Sequence, residues 1–162
     1  MTELDRELAR FEKLPPPNDA EAARLLSMIF DERALEAFVA EYRGRIEGIA
    51  IFWQGLGSSF RARPFLYLED PVVGEAARGA GVGEALMAAL AREGVARKVM
   101  RIDWAVLDWN EGAMRFYRRL GAKHQTEWFR YTLEEEAMRD LARSAGRRRP
   151  AGQAVEAAKD PP

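Results

Sequence analysis

The 162-residue sequence predicts an α/β fold: a single mixed sheet, mostly antiparallel at its start, with helices packed on it. Three observations predict this. Apolar residues at helical spacing alternate along the chain with runs rich in β-branched and aromatic residues, so helices and strands are interleaved. The stretch Leu66 to Gly83, Leu-Tyr-Leu-Glu-Asp-Pro-Val-Val-Gly-Glu-Ala-Ala-Arg-Gly-Ala-Gly-Val-Gly, reads as a strand and a glycine-rich turn that runs into the helical pattern Glu84-Ala-Leu-Met-Ala-Ala-Leu-Ala. The length, with 48% apolar and 31% charged residues, suits one domain with one sizeable core.

In order along the chain, Leu4, Leu8 and Phe11 make an amphipathic helix of Thr2 to Lys13, and Leu14-Pro15-Pro16-Pro17 stops it because a residue before proline is pushed out of helical geometry. Asn18 with Glu21 three residues on resembles a capping box, and Ala22, Leu25, Leu26, Ile29 and Phe30 give a second helix ending near Asp31. Leu35 to Tyr42 and Ile46 to Trp53 are expected as strands joined by an Arg43-Gly44 hairpin turn. Gln54 to Pro64 reads as a loop, and Phe65 to Val73 as the central strand. After the turn, Val82, Leu86, Ala89 and Leu90 share one face of a helix reaching about Arg97 despite Gly94. Val99 to Leu107 is expected as a strand, Glu111 to Leu120 as a helix capped by Asn110 and Gly121, and Thr126 to Leu133 as the last strand, followed by a helix through Glu134 to Arg143. From Ser144 the chain loses apolar residues and gains Arg147-Arg148-Arg149 and Pro150, so residues 144–162 are expected as a disordered tail beyond a domain of residues 1–143.

Composition excludes several function classes. A formal net charge of -1 argues against a general binder of nucleic acid or anionic membranes, and the arginine run reads as solvated charge. Zero cysteines remove disulfides, thiolate metal sites and a cysteine nucleophile, and the single histidine, His124, leaves neither a choice of triad base nor a histidine cluster for a metal. With no apolar run of membrane-spanning length and no apolar signal core, a cytoplasmic location is expected.

The glycine-rich turn carries the chemistry. Glycines at 79, 81 and 83 let the backbone take left-handed angles and come close to a ligand. A turn that opens a helix also aims unpaired N–H groups and the helix dipole outward, which suits phosphate or pyrophosphate. A Walker loop would need Gly-Lys-Ser/Thr, and a dinucleotide fingerprint would need glycine where Glu84 stands. By itself a Gly-x-Gly also serves as a plain tight turn.

The pattern Arg-x-x-Gly-x-Gly at Arg78 to Gly83, with a strand before it and an amphipathic helix after it, resembles the coenzyme A pyrophosphate turn of the GNAT acyltransferases. Four further segments match that family in order: Leu66 to Asp70, Ala105 to Glu111, Arg115 to Ala122, and Glu127-Trp128. Together they resemble the diamine (spermidine/spermine) N-acetyltransferase branch from Glu7 to about Ala142, with Ala105 to Asn110 and Glu134 to Ala142 more similar to the thialysine-type enzymes.

The resemblance implies a GNAT fold with a splayed central strand pair, acetyl-CoA as co-substrate, no metal, and direct acetyl transfer to a primary amine of a small di- or polyamine or a thialysine-like amino acid. It assigns the pyrophosphate to Arg78, Gly79, Ala80, Gly81, Val82, Gly83 and Glu84, the pantetheine arm to Val72 and Val73, and a further coenzyme contact to Asn110. Tyr117 takes the general-acid position, since a departing thiolate needs a proton and a phenol with a pKa of about 10 holds one. The amine arrives as a cation, so carboxylates suit its attraction and deprotonation. Glu69 matches the family's base, Asp70 stands beside it, and Glu12, Phe11 and Glu127 match substrate-binding positions. Strict strand alternation would put Glu69 and Asp70 on opposite faces. Read without the family, Tyr117 is an amphipathic core aromatic, and Glu12 and Glu127 are surface charges.

Three departures from the family pattern stand out. The chain enters almost at the first helix, so the family's first strand is expected to be missing, with the true start upstream. Pro71 removes a backbone N–H beside the expected donors, and Gly74 is expected to loosen the strand's end. The resemblance further implies a homodimer built around Glu127 to Leu133. Two other readings stay open: a GNAT acting on another amine, such as a protein N-terminus or an antibiotic, and an acyl-CoA-binding module with impaired catalysis.

Overall fold

A computed structural model describes residues 2–58 and 60–145. The elements are α1 (Thr2–Phe11), α2 (Asp19–Phe30), β1 (Glu36–Tyr42), β2 (Arg45–Ser58), β3 (Arg63–Val73), a 3-10 turn (Glu75–Ala77), α3 (Val82–Ala96), β4 (Ile102–Trp104), α4 (Glu111–Arg119) and α5 (Glu135–Ala145). They fall into two compact units, Met1–Glu111 and Gly112–Pro162.

The first unit is built on a sheet of order β1-β2-β3-β4, antiparallel between β1, β2 and β3 and parallel between β3 and β4. The hairpin between β1 and β2 turns through Arg43 and Gly44, both at positive φ, which matches the right-handed twist of the strands it joins. At the start of α2 the Asn18 side chain accepts from the Glu21 N–H at 3.0 Å, and the Glu21 carboxylate accepts from the Asn18 N–H at 2.8 Å.

Strand alternation splits the core in two. Ala50, Phe52, Leu66 and Leu68 face Val82, Leu86 and Leu90 of α3, while Ile49, Ile51 and Val72 face Leu4 of α1 and Ile29 of α2. Phe52, Leu66, Leu68 and Leu90 are fully buried, each contributing about 1.5–3 kcal/mol of hydrophobic stabilisation. Gly94 is tolerated in α3 because it lies in the seam, where a Cβ would meet Val99 Cγ2 at 3.1 Å. Arg97, at the end of α3, clamps this helix to β1: its two terminal nitrogens donate to Glu36 at 2.6 and 2.5 Å and its Nε to Glu93 at 2.7 Å.

Several boundaries differ from expectation. The expected loop of Gln54 to Pro64 is mostly strand, because Gln54 to Ser58 pair with Leu66 to Arg63. Gly55 and Gly57 leave room there for Phe65 and Met100 to lie across the strand. The strand expected at Val99 to Leu107 shrinks to Ile102–Trp104, which pair in register with Leu66 to Leu68 of β3, while just before them Met100 N–H donates to Pro64 O at 2.8 Å and Arg101 O accepts from Leu66 N–H at 3.1 Å. Gly74 is not loose: it is buried, and its N–H donates to Glu47 O at 2.8 Å, one step beyond the Gly48–Val73 pair.

In the second unit α4 ends at Arg119 and is closed by Gly121, which is left-handed (φ 89), with the Ala122 N–H bonded back to Tyr117 O at 3.1 Å. The expected strand of Thr126 to Leu133 does not form. A strand exists only through its ladder, and no described strand forms a ladder with this segment; Trp128, Phe129 and Tyr131 are more than four-fifths exposed. The expected C-terminal helix is present as α5, and from residue 146 the expected tail lies outside the described residues.

Candidate active site

The turn between β3 and α3 is shaped to receive an anion. Gly79 (φ 76) and Gly81 (φ 84) are left-handed, and no atom lies within 4 Å of where a Cβ would stand on either. Gly81 caps α3 through its backbone, its carbonyl accepting from Ala85 N–H at 3.0 Å. The N–H groups of Val82, Gly83 and Glu84 belong to the helix's first turn and find no protein acceptor among the described residues. Arg78, which enters the turn, is tied to the end of β3, its Nε donating to Val73 O at 3.3 Å and its terminal nitrogens having no acceptor among the described residues. Glu84 contributes its N–H, while its exposed carboxylate would repel a phosphate. A groove lined by Glu3, Glu7, Glu47 and Glu75, with Arg45 as its one cation, lies beside the turn and is net acidic, the wrong charge for an anion.

The strand leading to this turn has an open edge. Parallel pairing of β3 with β4 stops at Leu68 and Trp104, while β3 runs on to Val73. The Gly74–Glu47 bond fixes which way each backbone group points: along an antiparallel ladder, bonded positions alternate, so Val72 and Asp70 bond β2 while Val73 and Pro71 point away from it. Val73 therefore turns its N–H to the open edge. Pro71 occupies the other such position, so it costs the sheet no bond but leaves the edge without one donor. The side chains of Val72 and Val73 pack into the two cores, so any ligand along the edge would meet Val73 through its backbone.

A β-bulge lies upstream. Phe52 pairs with Leu68 and Ile51 with Asp70, which leaves Glu69 as the extra residue of β3. The bulge changes which face successive residues take: Leu66 and Leu68 face α3 before it, and Val72 faces α1 and α2 after it. The strict alternation that separated Glu69 from Asp70 is thus broken between them. Position 70 lies opposite Ile51, and Asp70's side chain is outside the described residues. Glu69 is exposed, and its Oε1 accepts from Trp53 Nε1 at 2.9 Å. Trp53 packs on Phe65 and Tyr67, with ring centroids 5.6 and 5.5 Å away.

The end of α1 meets the loop after β4. Phe11 lies 5.4 Å from Trp109, and the Lys13 ammonium sits 5.6 Å above the Trp109 ring. Phe11 thus adjoins the segment that carries half-buried Asn110, whose N–H bonds Leu107 O at 2.9 Å, and Glu12 is half-buried between Phe11 and Lys13. In the second unit, Tyr117 is half-buried on α4, and burial pushes its phenol up to about 12. Glu127 is exposed in the irregular segment. The structure brings together Val73 and Arg78 to Glu84 at one mouth, and Phe11 with the Trp109–Asn110 loop. Sequence reasoning missed Trp53 and Trp109. Both are partnered across the fold, and only the register of β2 on β3, including the bulge, reveals that Trp53 reaches Glu69.

A splayed sheet edge that opens onto an anion-binding helix N-terminus defines the class of acyl-coenzyme A-dependent transferases. The chain belongs to the acetyltransferase (GNAT) family, whose model matches residues 2–122. It is 34% identical over 150 residues to the thialysine N-epsilon-acetyltransferase of Bos taurus, which covers 86% of this chain and 88% of that enzyme. It is also 34% identical over 96 residues to the L-ornithine N5-acetyltransferase of Arabidopsis thaliana, covering 59% of this chain and 42% of that enzyme. Among solved structures, an integron cassette protein from V. cholerae shares the fold with a TM-score of 0.75 at 24% identity, over 87% of this chain and 88% of that one. The protein is an acetyl-CoA-dependent N-acetyltransferase. Among the described residues no helix is long and apolar enough to cross a membrane.

Proposed function

We propose that the protein acetylates a primary amine of a small di- or polyamine or of a thialysine-like amino acid. The similarity to thialysine N-epsilon-acetyltransferase along 86% of the chain carries this reading, and the exposed Glu69 carboxylate at the β3 bulge supports it. In this reading Arg78 and the Gly79 to Glu84 backbone hold the pyrophosphate, the outward Val73 backbone and Asn110 line the coenzyme's path, Val72 supports that edge from the core without reaching the coenzyme, and Glu12, Phe11, Asp70 and Glu127 receive the amine.

An alkylammonium with a pKa of about 10.4 must lose a proton before its nitrogen can attack. Glu69 takes that proton through water. The nitrogen lone pair then adds to the thioester carbonyl, and the tetrahedral oxyanion forms at the β3 edge, where Val73 offers its outward N–H. Its collapse breaks the C–S bond, the nitrogen gives its second proton to solvent, and the departing thiolate takes the Tyr117 proton, which solvent restores. The products are an acetamide and free coenzyme A. The same reading takes residues 1–143 as the catalytic domain and 144–162 as its tail. It makes the chain a cytoplasmic homodimer in which a second copy covers the exposed Trp128, Phe129 and Tyr131.

One observation favours a second reading. Pro71 leaves the edge a donor short, which suits a coenzyme-binding protein of impaired catalysis. The two are separated by offering acetyl-CoA with spermidine, putrescine, thialysine, lysine, an aminoglycoside and a peptide with a free N-terminus, and reading acetylated products by mass spectrometry. Product on a diamine or thialysine supports the first reading. Product on the peptide or the aminoglycoside alone would overturn the substrate class, and coenzyme binding without product would favour the second.

A further inference from the structure

We infer that Trp53 is a positioning residue for Glu69, fixing one carboxylate oxygen so that the other stays free to accept the substrate's proton. The inference rests on the reading of Glu69 as the base. An exposed glutamate on a strand samples several rotamers. Here the bulge makes Glu69 the residue without a partner in the register and brings Oε1 to 2.9 Å from the Trp53 indole nitrogen on the neighbouring strand.

The donor itself is held. Phe65 packs edge-on against the indole and Tyr67 lies beside it, and the space behind is closed: a Cβ on Gly55 would fall 2.6 Å from Trp53 Cζ3 and 2.5 Å from Phe65 Cε1. The indole therefore has little freedom to turn its N–H away.

The chemistry of the pair suits the task. An indole N–H donates and cannot accept, so it does not compete for the substrate's proton. It occupies Oε1, and Oε2 has no protein donor among the described residues. One oxygen is anchored and the other is open to water and amine, which is the geometry a base acting through water needs.

The test is a double-mutant cycle between Trp53→Phe and Glu69→Gln, with kcat measured at saturating acetyl-CoA and amine, KM for each substrate, and a thermal melt of every variant. Phenylalanine keeps the aromatic packing and removes the N–H. Loss of one hydrogen bond to a charged group predicts a fall in kcat of about ten-fold or more, with the acetyl-CoA KM unchanged. In the Glu69→Gln background, Trp53→Phe is expected to have no further effect, which a merely structural role of Trp53 would not produce.

Equal losses in both backgrounds would overturn the inference, as would full activity of Trp53→Phe beside an inactive Glu69→Gln, which leaves the base reading standing. Full activity of Glu69→Gln would overturn the base reading itself and the inference with it. Should Trp53→Phe fail to fold, 3-benzothienylalanine at position 53 keeps the indole shape without the N–H, and the same two kcat comparisons decide.

Discussion

Gly48 lies on β2 against the first two turns of α3, the helix whose N-terminus forms the anion seat. A Cβ there would stand 2.7 Å from Val82 Cγ1, 3.0 Å from Leu86 Cδ1 and 3.1 Å from Ala40 Cβ. Apolar carbons rest about 3.5–4.0 Å apart, so Gly48→Ala forces a shift of roughly 0.8 Å at the tightest contact. Ala40 has no rotamer to yield, and a valine in a helix has one strongly preferred rotamer, so the first turn of α3 must move. Overpacking of this kind costs about 1–3 kcal/mol. Replacing a glycine at compatible angles offsets about 0.4–1 kcal/mol of that through the unfolded chain. With stiff neighbours the upper part of the range applies, so the net loss is about 2 kcal/mol, or a fall in Tm of roughly 4–8 °C. Because the Val82, Gly83 and Glu84 N–H groups travel with the helix, the acetyl-CoA KM should rise about ten-fold, equivalent to about 1.4 kcal/mol. The amine KM should stay put. Calorimetric melting and initial rates with acetyl-CoA varied at fixed amine read both effects. A Tm that rises, with an unchanged acetyl-CoA KM, would refute the argument that this seam positions the seat.

Other perturbations test other parts. Pro71→Ala supplies the missing outward N–H at the β3 edge, so the acetyl-CoA KM should fall or kcat rise by a few-fold, and kinetics equal to wild type would show that the edge does not hold the coenzyme there. Burial pushes the Tyr117 phenol up to about 12, so it stays protonated and able to act as acid across neutral and alkaline pH. Tyr117→Phe should lower kcat, and the wild-type kcat profile should show no Tyr117-dependent fall below about pH 11. A limb near pH 9 abolished by Tyr117→Phe would contradict that. The Arg97 guanidinium hydrogen-bonded to Glu36 holds this carboxyl below its ordinary 4.5. With the folded value lowered, the pair's stabilisation is present above 4.5 and is lost as pH falls through the folded value. The difference in urea midpoint between wild type and Glu36→Gln should therefore shrink from pH 6 to pH 3, and a difference that stays constant would remove the ion pair as its cause.

Features set by local chemistry were legible in the sequence. The Asn18–Glu21 box, the Arg43–Gly44 turn, the glycines at 79 and 81 and the apolar stripe of α3 each depend on residues within a turn or two of one another. The failures are non-local. Gln54 to Ser58 carry glycines and a serine, yet they pair, because Phe65 and Met100 fill the space the glycines leave. Thr126 to Leu133 has strand composition, but composition supplies no partner strand. At the site, the mouth formed by Arg78 to Glu84 could be read from spacing. The bulge could not, since it exists only in the register of β2 on β3, and without it neither the broken alternation at Glu69 nor its bond to Trp53 follows. The direction of Pro71's missing donor likewise follows from a hydrogen bond between strands, from Gly74 N–H to Glu47 O, which no sequence pattern shows.

The central claim is direct transfer from acetyl-CoA to an amine, with no acetylated protein in between. Acetyl-CoA carrying a heavy-isotope acetyl group, incubated with the protein with and without putrescine or thialysine, tests it in one mass measurement of protein and small molecules. Direct transfer predicts an unchanged protein mass without amine, and heavy acetyl on the amine nitrogen when amine is present. Label retained on the protein and then passed to the amine, or no label on any amine while coenzyme binds, would contradict it.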